Sequence, residues 1–591
     1  MANHAMLTSV KPTPQRLFFE PVILEYALQK SCQRRSDLFR ESTEIEVNAL
    51  STQKEAFHYF INKLAQTCNS EQGYETITSF SVLDSPEGPE FVFGSNLRDD
   101  NELSETQEFA TSLLNLAGNT SPRIGKKALN KKVLWMILWF NLGRIRVYLD
   151  KLCFYLNACI EDLDRRRTTA ANSTLPLPFC SDKEDVRSEL KNLKKKTEFP
   201  TDIIGSGSKD RCKYMLEGLR NILLTLAPFE VLSDCEKLIK AIYASKGTAI
   251  DTAIMQNAKD GELMSSEVWC ELRHYLGRLL SFRHAANAIT GAAERFPKLF
   301  QDFKVVPIPS STPIAKPVSR SSLTAGSIIN NIIVDDCERE LYAPHVEEML
   351  KFGLENGIQG QISKRSFKPY VHAEVLVHDY ILTKSAEYPQ KYWNDWRYIG
   401  SSKPTCRLCH YYFSAHPDRV QVRRSHLNLY PNWCLPRIYE TNLDDKSRHL
   451  LEKLTENVRD DVKKTLEEKV WRGRDHDTNT YSGFPGYFRD GSVMSDGSVM
   501  SDGSVMSDVS SEVSVVVFKP NLVEYRRFPV DWSGVVGEID SEMSDNEEWF
   551  SATNDADLER SDGEGESIVV EVFDSEISDD EDGGTFVDAV Y

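Results

Sequence analysis

The chain has 591 residues, 40% of them hydrophobic, with 89 acidic against 70 basic side chains and a formal net charge of -19. That length suffices for two or three domains and a substantial core. The opening MANHAMLTSVKPTPQRLFF lacks the apolar stretch of a secretory leader, and the most apolar run, Val133–Phe140, falls far short of the roughly 20 residues of a membrane span, so no membrane association and a cytoplasmic or nuclear location are expected.

The charge is unevenly spread. From Asp490 to Tyr591 there are 27 acidic and 4 basic side chains, which leaves 62 and 66 before that point and a slightly basic body. A uniformly acidic protein would repel nucleic acid; a near-neutral body with basic clusters does not.

In chain order, residues 1–41 read as an N-terminal arm. Residues 42–96 begin with helical apolar spacing at Ala56, Phe60, Leu64 and Cys68. They continue as two runs rich in β-branched and aromatic residues around Pro86–Glu87–Gly88–Pro89, a β-hairpin over about Thr76–Asn96. Residues 97–304 read as an α-helical domain or insertion, since Leu134, Leu138, Leu142, Ile145, Leu149, Leu152 and Leu156 recur every three or four positions. Its basic clusters, Arg123–Lys132, Arg165–Arg167 and Lys191–Lys196, suit solvated helix ends, nuclear targeting or phosphate contacts.

Residues 305–326 are rich in Pro and Ser and read as an extended linker. Residues 327–475 form a second α/β region. It is expected to hold a strand or buried segment near Ile328–Val334, a helix around Leu341–Leu354, a helix starting near His372, a strand near Trp396–Ser401, a helix opened by Cys406, a strand near Arg419–Leu429 and a last amphipathic helix from Leu451 to Val470. Residues 476–591 read as a disordered acidic tail, with DGSVMS repeated three times from Asp490 to Ser507. Within it, Ser511–Arg527 suits a docking strand, and Ile568–Val572, followed by acidic residues, suits a strand added to the sheet edge of a ubiquitin-like modifier. The tail's charge also suits a basic partner, or the chain's own basic groove.

Twelve cysteines are spread over the chain, and one pair, Cys406 and Cys409, forms a C-x-x-C. His-x-Glu occurs twice, at His345–Glu347 inside an amphipathic helix and at His372–Glu374 where a strand-like segment turns into an apolar run. The second, paired with the cysteines, has the layout of a catalytic zinc centre. His372, Cys406 and Cys409 would hold Zn2+, a fourth position would admit water, and Glu374 would move the protons. A closed structural zinc site remains the alternative, with Cys434, His410, His378 or His416 as fourth ligand, as does a site without metal.

His372–Ala373–Glu374 with Thr405–Cys406–Arg407–Leu408–Cys409 resembles the H-A-E … C-x-x-C signature of the zinc-dependent nucleotide and nucleic-acid deaminase superfamily. More narrowly, it is similar to a deaminase-like family shared by fungal proteins and bacterial toxin modules. The resemblance covers about Pro369–His426 and departs at Thr405, which stands where the superfamily usually has the Pro, here Pro404. It implies a cytidine-deaminase-like three-layer α/β fold with the hairpin in its sheet. It also implies hydrolytic deamination of a cytosine- or adenine-type base in a nucleotide or single-stranded nucleic acid, and a substrate contact at Asn96. Trp393, Trp396, Tyr398, Tyr411 and Tyr412 concentrate aromatic area that could stack a base, and Arg419, Arg423 and Arg424 could meet phosphates. A non-catalytic interaction protein with a structural zinc site is the alternative from a different class.

Overall fold

The computed structural model describes residues 14–34, 52–118, 125–171, 182–197, 226–258, 263–318, 323–387, 390–437 and 445–471. The expectations for the acidic tail, its repeats and its two docking segments lie outside the described residues.

The chain begins with helices α1 (Pro14–Ser31) and α2 (Gln53–Cys68), then runs through strands β1 (Thr78–Ser85) and β2 (Gly88–Ser95). The two strands pair antiparallel over their full length. Gly88 turns between them at a φ of 117°, and a Cβ there would meet the Asp302 carbonyl oxygen at 2.2 Å, so the tight turn needs glycine twice over. Seven helices follow among the described residues: α3 (Asp100–Gly118), α4 (Lys126–Phe140), α5 (Leu142–Ala171), α6 (Asp182–Lys195), α7 (Leu226–Ala244), α8 (Ala249–Asn257) and α9 (Leu263–Arg295).

Strand β3 (Lys304–Ile308) then runs parallel to β2. After it come α10 (Ala325–Ile332), α11 (Asp336–Lys351), α12 (Leu354–Ser363), α13 (Ala373–Glu387), β4 (Tyr398–Ser401), α14 (Arg407–Ala415), β5 (Gln421–Val422) and α15 (Asp445–Glu468). The sheet order is β3-β2-β1-β4-β5, and the two-residue strand Lys391–Tyr392 also pairs antiparallel with β1. The early hairpin is therefore central, with Ser79 opposite Ser401 and Phe80 opposite Gly400.

Alternation along the strands divides the apolar side chains between two cores. Phe80, Val82, Phe91 and Phe93 face α2 and the helices α3–α9. Leu83, Val92, Ile308 and Ile399 face α1 and the helices α10–α15. The result is a mixed α/β protein, mostly helical, with a helical layer on each face of one mixed sheet. No helix among the described residues is long and apolar enough to cross a membrane.

Several expectations are corrected. The N-terminal arm contains α1, whose Phe18, Phe19, Val22, Ile23, Leu24, Ala27 and Leu28 are fully buried. Ile328–Val334 is mainly the end of helix α10, because Thr324 and Ser327 form a capping box and Ile328, Ile329 and Ile332 fall on one helical face. The helix expected around Leu341–Leu354 is α11, which starts earlier and stops at Lys351, where Gly353, with a φ of 85°, separates it from α12. The linker's first residues belong to edge strand β3, and the edge tolerates Pro307, which has no N–H to donate. The strand expected over Arg419–Leu429 shrinks to Gln421–Val422, because Arg419 and Leu427 take the left-handed conformation.

Candidate metal centre

Two helix starts meet beside the sheet. His372 directly precedes α13, and its carbonyl accepts the Leu376 N–H at 2.8 Å, closing the first turn. Cys406 caps α14, its sulfur receiving the Cys409 N–H at 3.5 Å. The approach to α13 is held by Tyr370, whose N–H donates to Asn432 and whose carbonyl accepts from Cys434. The approach to α14 is held by Thr405. Its hydroxyl donates to the Arg423 carbonyl at 2.6 Å and its N–H to the Arg424 carbonyl at 3.2 Å. Proline in this position would remove the second bond, which gives the departure at Thr405 a local reason.

The Nδ1 atom of His372 lies 3.5 Å from the Cys406 sulfur and 3.6 Å from the Cys409 sulfur. A tetrahedral zinc with ordinary Zn–N and Zn–S bonds sets that N···S edge at about 3.6 Å. All three side chains are buried, and their donor atoms form a group within 4.8 Å of one another. The electrostatics agree. Burial opposes ionisation of both thiols, yet hydrogen bonding from Cys409 and the charge on His372 hold Cys406 well below the usual thiol range. Burial and the facing Cys406 sulfur push Cys409 well above it. A divalent cation among the three atoms relieves that opposition, so the donor set fits zinc. The Trp433 indole N–H donates to the Cys409 sulfur at 3.2 Å, orienting it from behind.

Residues 371–437 match the family model described as OTT_1508_deam-like deaminase. No curated protein and no solved structure matches the chain. The deaminase-like segment carries all three donors and Glu374.

Glu374 lies in the first turn of α13, buried, and outside the three-donor group. Burial pushes its carboxyl up to about 7, against the pull of His372. Among the described residues that group has three protein members. Cys434 is buried with its thiol pushed up to about 12 and does not join it, nor does His410. His378 and His416 gather instead around Asp418.

The predicted substrate contacts are placed less uniformly. Asn96, at the end of β2, is buried; its Oδ1 accepts the Ala373 N–H at 2.8 Å and its Nδ2 donates to the Tyr74 carbonyl at 2.8 Å. It thus grips the residue between His372 and Glu374. Trp393, Trp396 and Tyr398 pack in the α2 core, on the other side of the sheet from the donors. Tyr398 stacks on His58 at 3.7 Å, and Trp396 lies against Phe57 and Phe296. Tyr411 turns to α15, its hydroxyl 2.6 Å from Asp461, and Tyr412 turns to His378. Arg423 is buried and donates to the Ser401 carbonyl.

Besides Trp433, the aromatic side chains on the donors' side include Tyr370, whose ring lies 5.2 Å from that of His372, and Tyr74, stacked 6.0 Å beyond it. Sequence reasoning missed both. Tyr370 is two residues before His372, an alternation that would have marked it. Tyr74 lies before the hairpin and carries no such signal.

Proposed function

We propose that this protein is a zinc-dependent hydrolytic deaminase acting on a cytosine- or adenine-type base in a nucleotide or single-stranded nucleic acid. The observation that carries the reading is a buried His372–Cys406–Cys409 group with the buried carboxyl of Glu374, outside that group, two residues from His372. His372, Cys406 and Cys409 would hold the zinc, which supplies a Lewis acid that lowers the pKa of water.

The chain's own residues supply the remainder. Glu374 takes a proton from the attacking water and returns it to the departing amine, a role its burial favours by raising its proton affinity. Asn96 holds the Ala373 backbone and so fixes the spacing of His372 and Glu374. Tyr74, half-buried and stacked on Tyr370, offers a ring face to a planar base.

The test combines zinc analysis with ammonia release from cytidine, adenosine and single-stranded oligonucleotides, for wild type and Glu374→Ala. The expected result is zinc in the deaminase-like segment and turnover that the substitution abolishes. Zinc without turnover on any of these substrates would overturn the enzymatic reading, and turnover surviving in the variant would overturn the role of Glu374.

A further inference from the structure

The helices that carry the first donor group meet a second time. His378 lies six residues beyond His372 on α13, about 9 Å along the helix axis. His416 ends α14, whose first turn carries Cys409, and Asp418 follows two residues later. The Asp418 Oδ2 atom is 3.6 Å from His378 Nε2 and 3.6 Å from His416 Nδ1. The two imidazole rings cross at 82° with centroids 4.6 Å apart. Neither carboxylate contact is short enough for a hydrogen bond, and both approach the donor-to-donor edge of about 3.3 to 3.5 Å that a four-coordinate zinc with N and O ligands sets; the Asp418 backbone N–H donates to His416 Nδ1 at 3.3 Å, a bond that an ion on this atom would displace.

His378 makes the group more than a chance cluster. Its side chain is 1% exposed, and Nε2, the atom facing Asp418, is buried with no hydrogen-bond partner among the described residues. Its other nitrogen, Nδ1, lies 2.9 Å from the Tyr412 hydroxyl. With the proton on Nδ1 and donated to that oxygen, Nε2 presents a lone pair toward Asp418, the arrangement in which a second partner orients a metal-binding histidine. His416 and Asp418 are 14% and 38% exposed, which leaves the group open to solvent on one side. Among the described residues, the cationic neighbours are Lys446, which acts on His416, and Arg397, which donates to the Asp418 carbonyl.

We propose that His378, His416 and Asp418 form a second divalent-metal site, filled by zinc, that pins the end of α14 to the middle of α13. Two nitrogens and a carboxylate are donors that zinc accepts readily, and a solvent-side position remains for water. The first centre joins the same two helices at their starts, so the second fixes their crossing from the far end. It requires no catalytic activity of the protein.

Cobalt(II) separates the two sites spectroscopically, because only the first has thiolate ligands. The full chain, stripped with a chelator and titrated with cobalt, is expected to take up two equivalents, one with thiolate charge-transfer absorption and one without. Asp418→Asn and His416→Gln alter partly exposed side chains. Each is expected to lose the equivalent without thiolate absorption and keep the other, with the far-ultraviolet spectrum unchanged. Cys406→Ser is expected to lose the thiolate bands. Uptake of one thiolate-bound equivalent alone by the wild type would overturn the proposal. So would retention of the second equivalent in both Asp418→Asn and His416→Gln, since the ion would then be held elsewhere, for instance by the acidic residues after Asp490.

Discussion

Tyr398 and Ile399 are adjacent in β4, yet their side chains enter different cores. Tyr398 joins the α2 side, where its hydroxyl meets Asn62 at 3.0 Å and its ring covers His58. Ile399 joins the side of Val375, Leu408, Cys406 and Cys409. On the α2 side, Trp393, Trp396 and Phe57 are occupied with one another, as a packed core requires. On the other side, buried polar groups converge instead: His372, Glu374, Cys406 and Cys409. Aromatic density along the chain therefore says little about a site when a strand deals alternate residues to opposite faces.

The contrast breaks most sharply at Glu374. Glu374→Gln is expected to lower turnover by roughly 100- to 10,000-fold while zinc content is kept. Ammonia release and metal analysis on one preparation check this, and loss of zinc in the variant would place Glu374 among the donors.

Next in size is the clamp behind the C-x-x-C. Arg407, between the two cysteines, is 1% exposed and pairs with Glu25 of α1 at 2.9 Å and Asp461 of α15 at 3.2 Å. Glu25 also accepts from Gln29 and Thr465. Removing one partner strands a buried charge, so Glu25→Ala is expected to lose about 3–5 kcal/mol of stability in urea unfolding. A loss under about 1 kcal/mol would mean that Asp461 alone satisfies Arg407.

That clamp also shows where the sequence was legible and where it was not. The hairpin, the long helices and the two halves of the donor group, His372 and the pair Cys406 and Cys409, were readable, because local spacing carries each of them. Helix α1 was not: it is buried on nearly every side and contains Pro21, so it presents no polar stripe to mark its period. Strand β3 was hidden by Pro307 and its Pro/Ser-rich surroundings. The His378–His416–Asp418 group joins residues 38 and 40 positions apart in a pattern set by the crossing of two helices. Tyr74 reaches His372 through Tyr370 only after β1 is threaded beside β4. These are products of tertiary pairing, which no local period encodes.

The smaller effects test the two faces against each other. Tyr74→Ala is expected to raise KM for the substrate that turns over by roughly 5- to 150-fold, the worth of about 1–3 kcal/mol of base stacking, and to leave unfolding little changed. Tyr398→Phe should behave in the opposite way. It removes the hydroxyl bonded to Asn62 and keeps the ring on His58, so about 1 kcal/mol of stability is lost while kcat and KM stay within twofold of wild type. Asn62 Oδ1 retains the Ser401 N–H at 3.2 Å, which keeps the end of β4 in place and limits the loss. A tenfold change in KM from Tyr398→Phe would mean that the α2 face communicates with the substrate through Ser401, and the division of labour across the sheet would have to be redrawn.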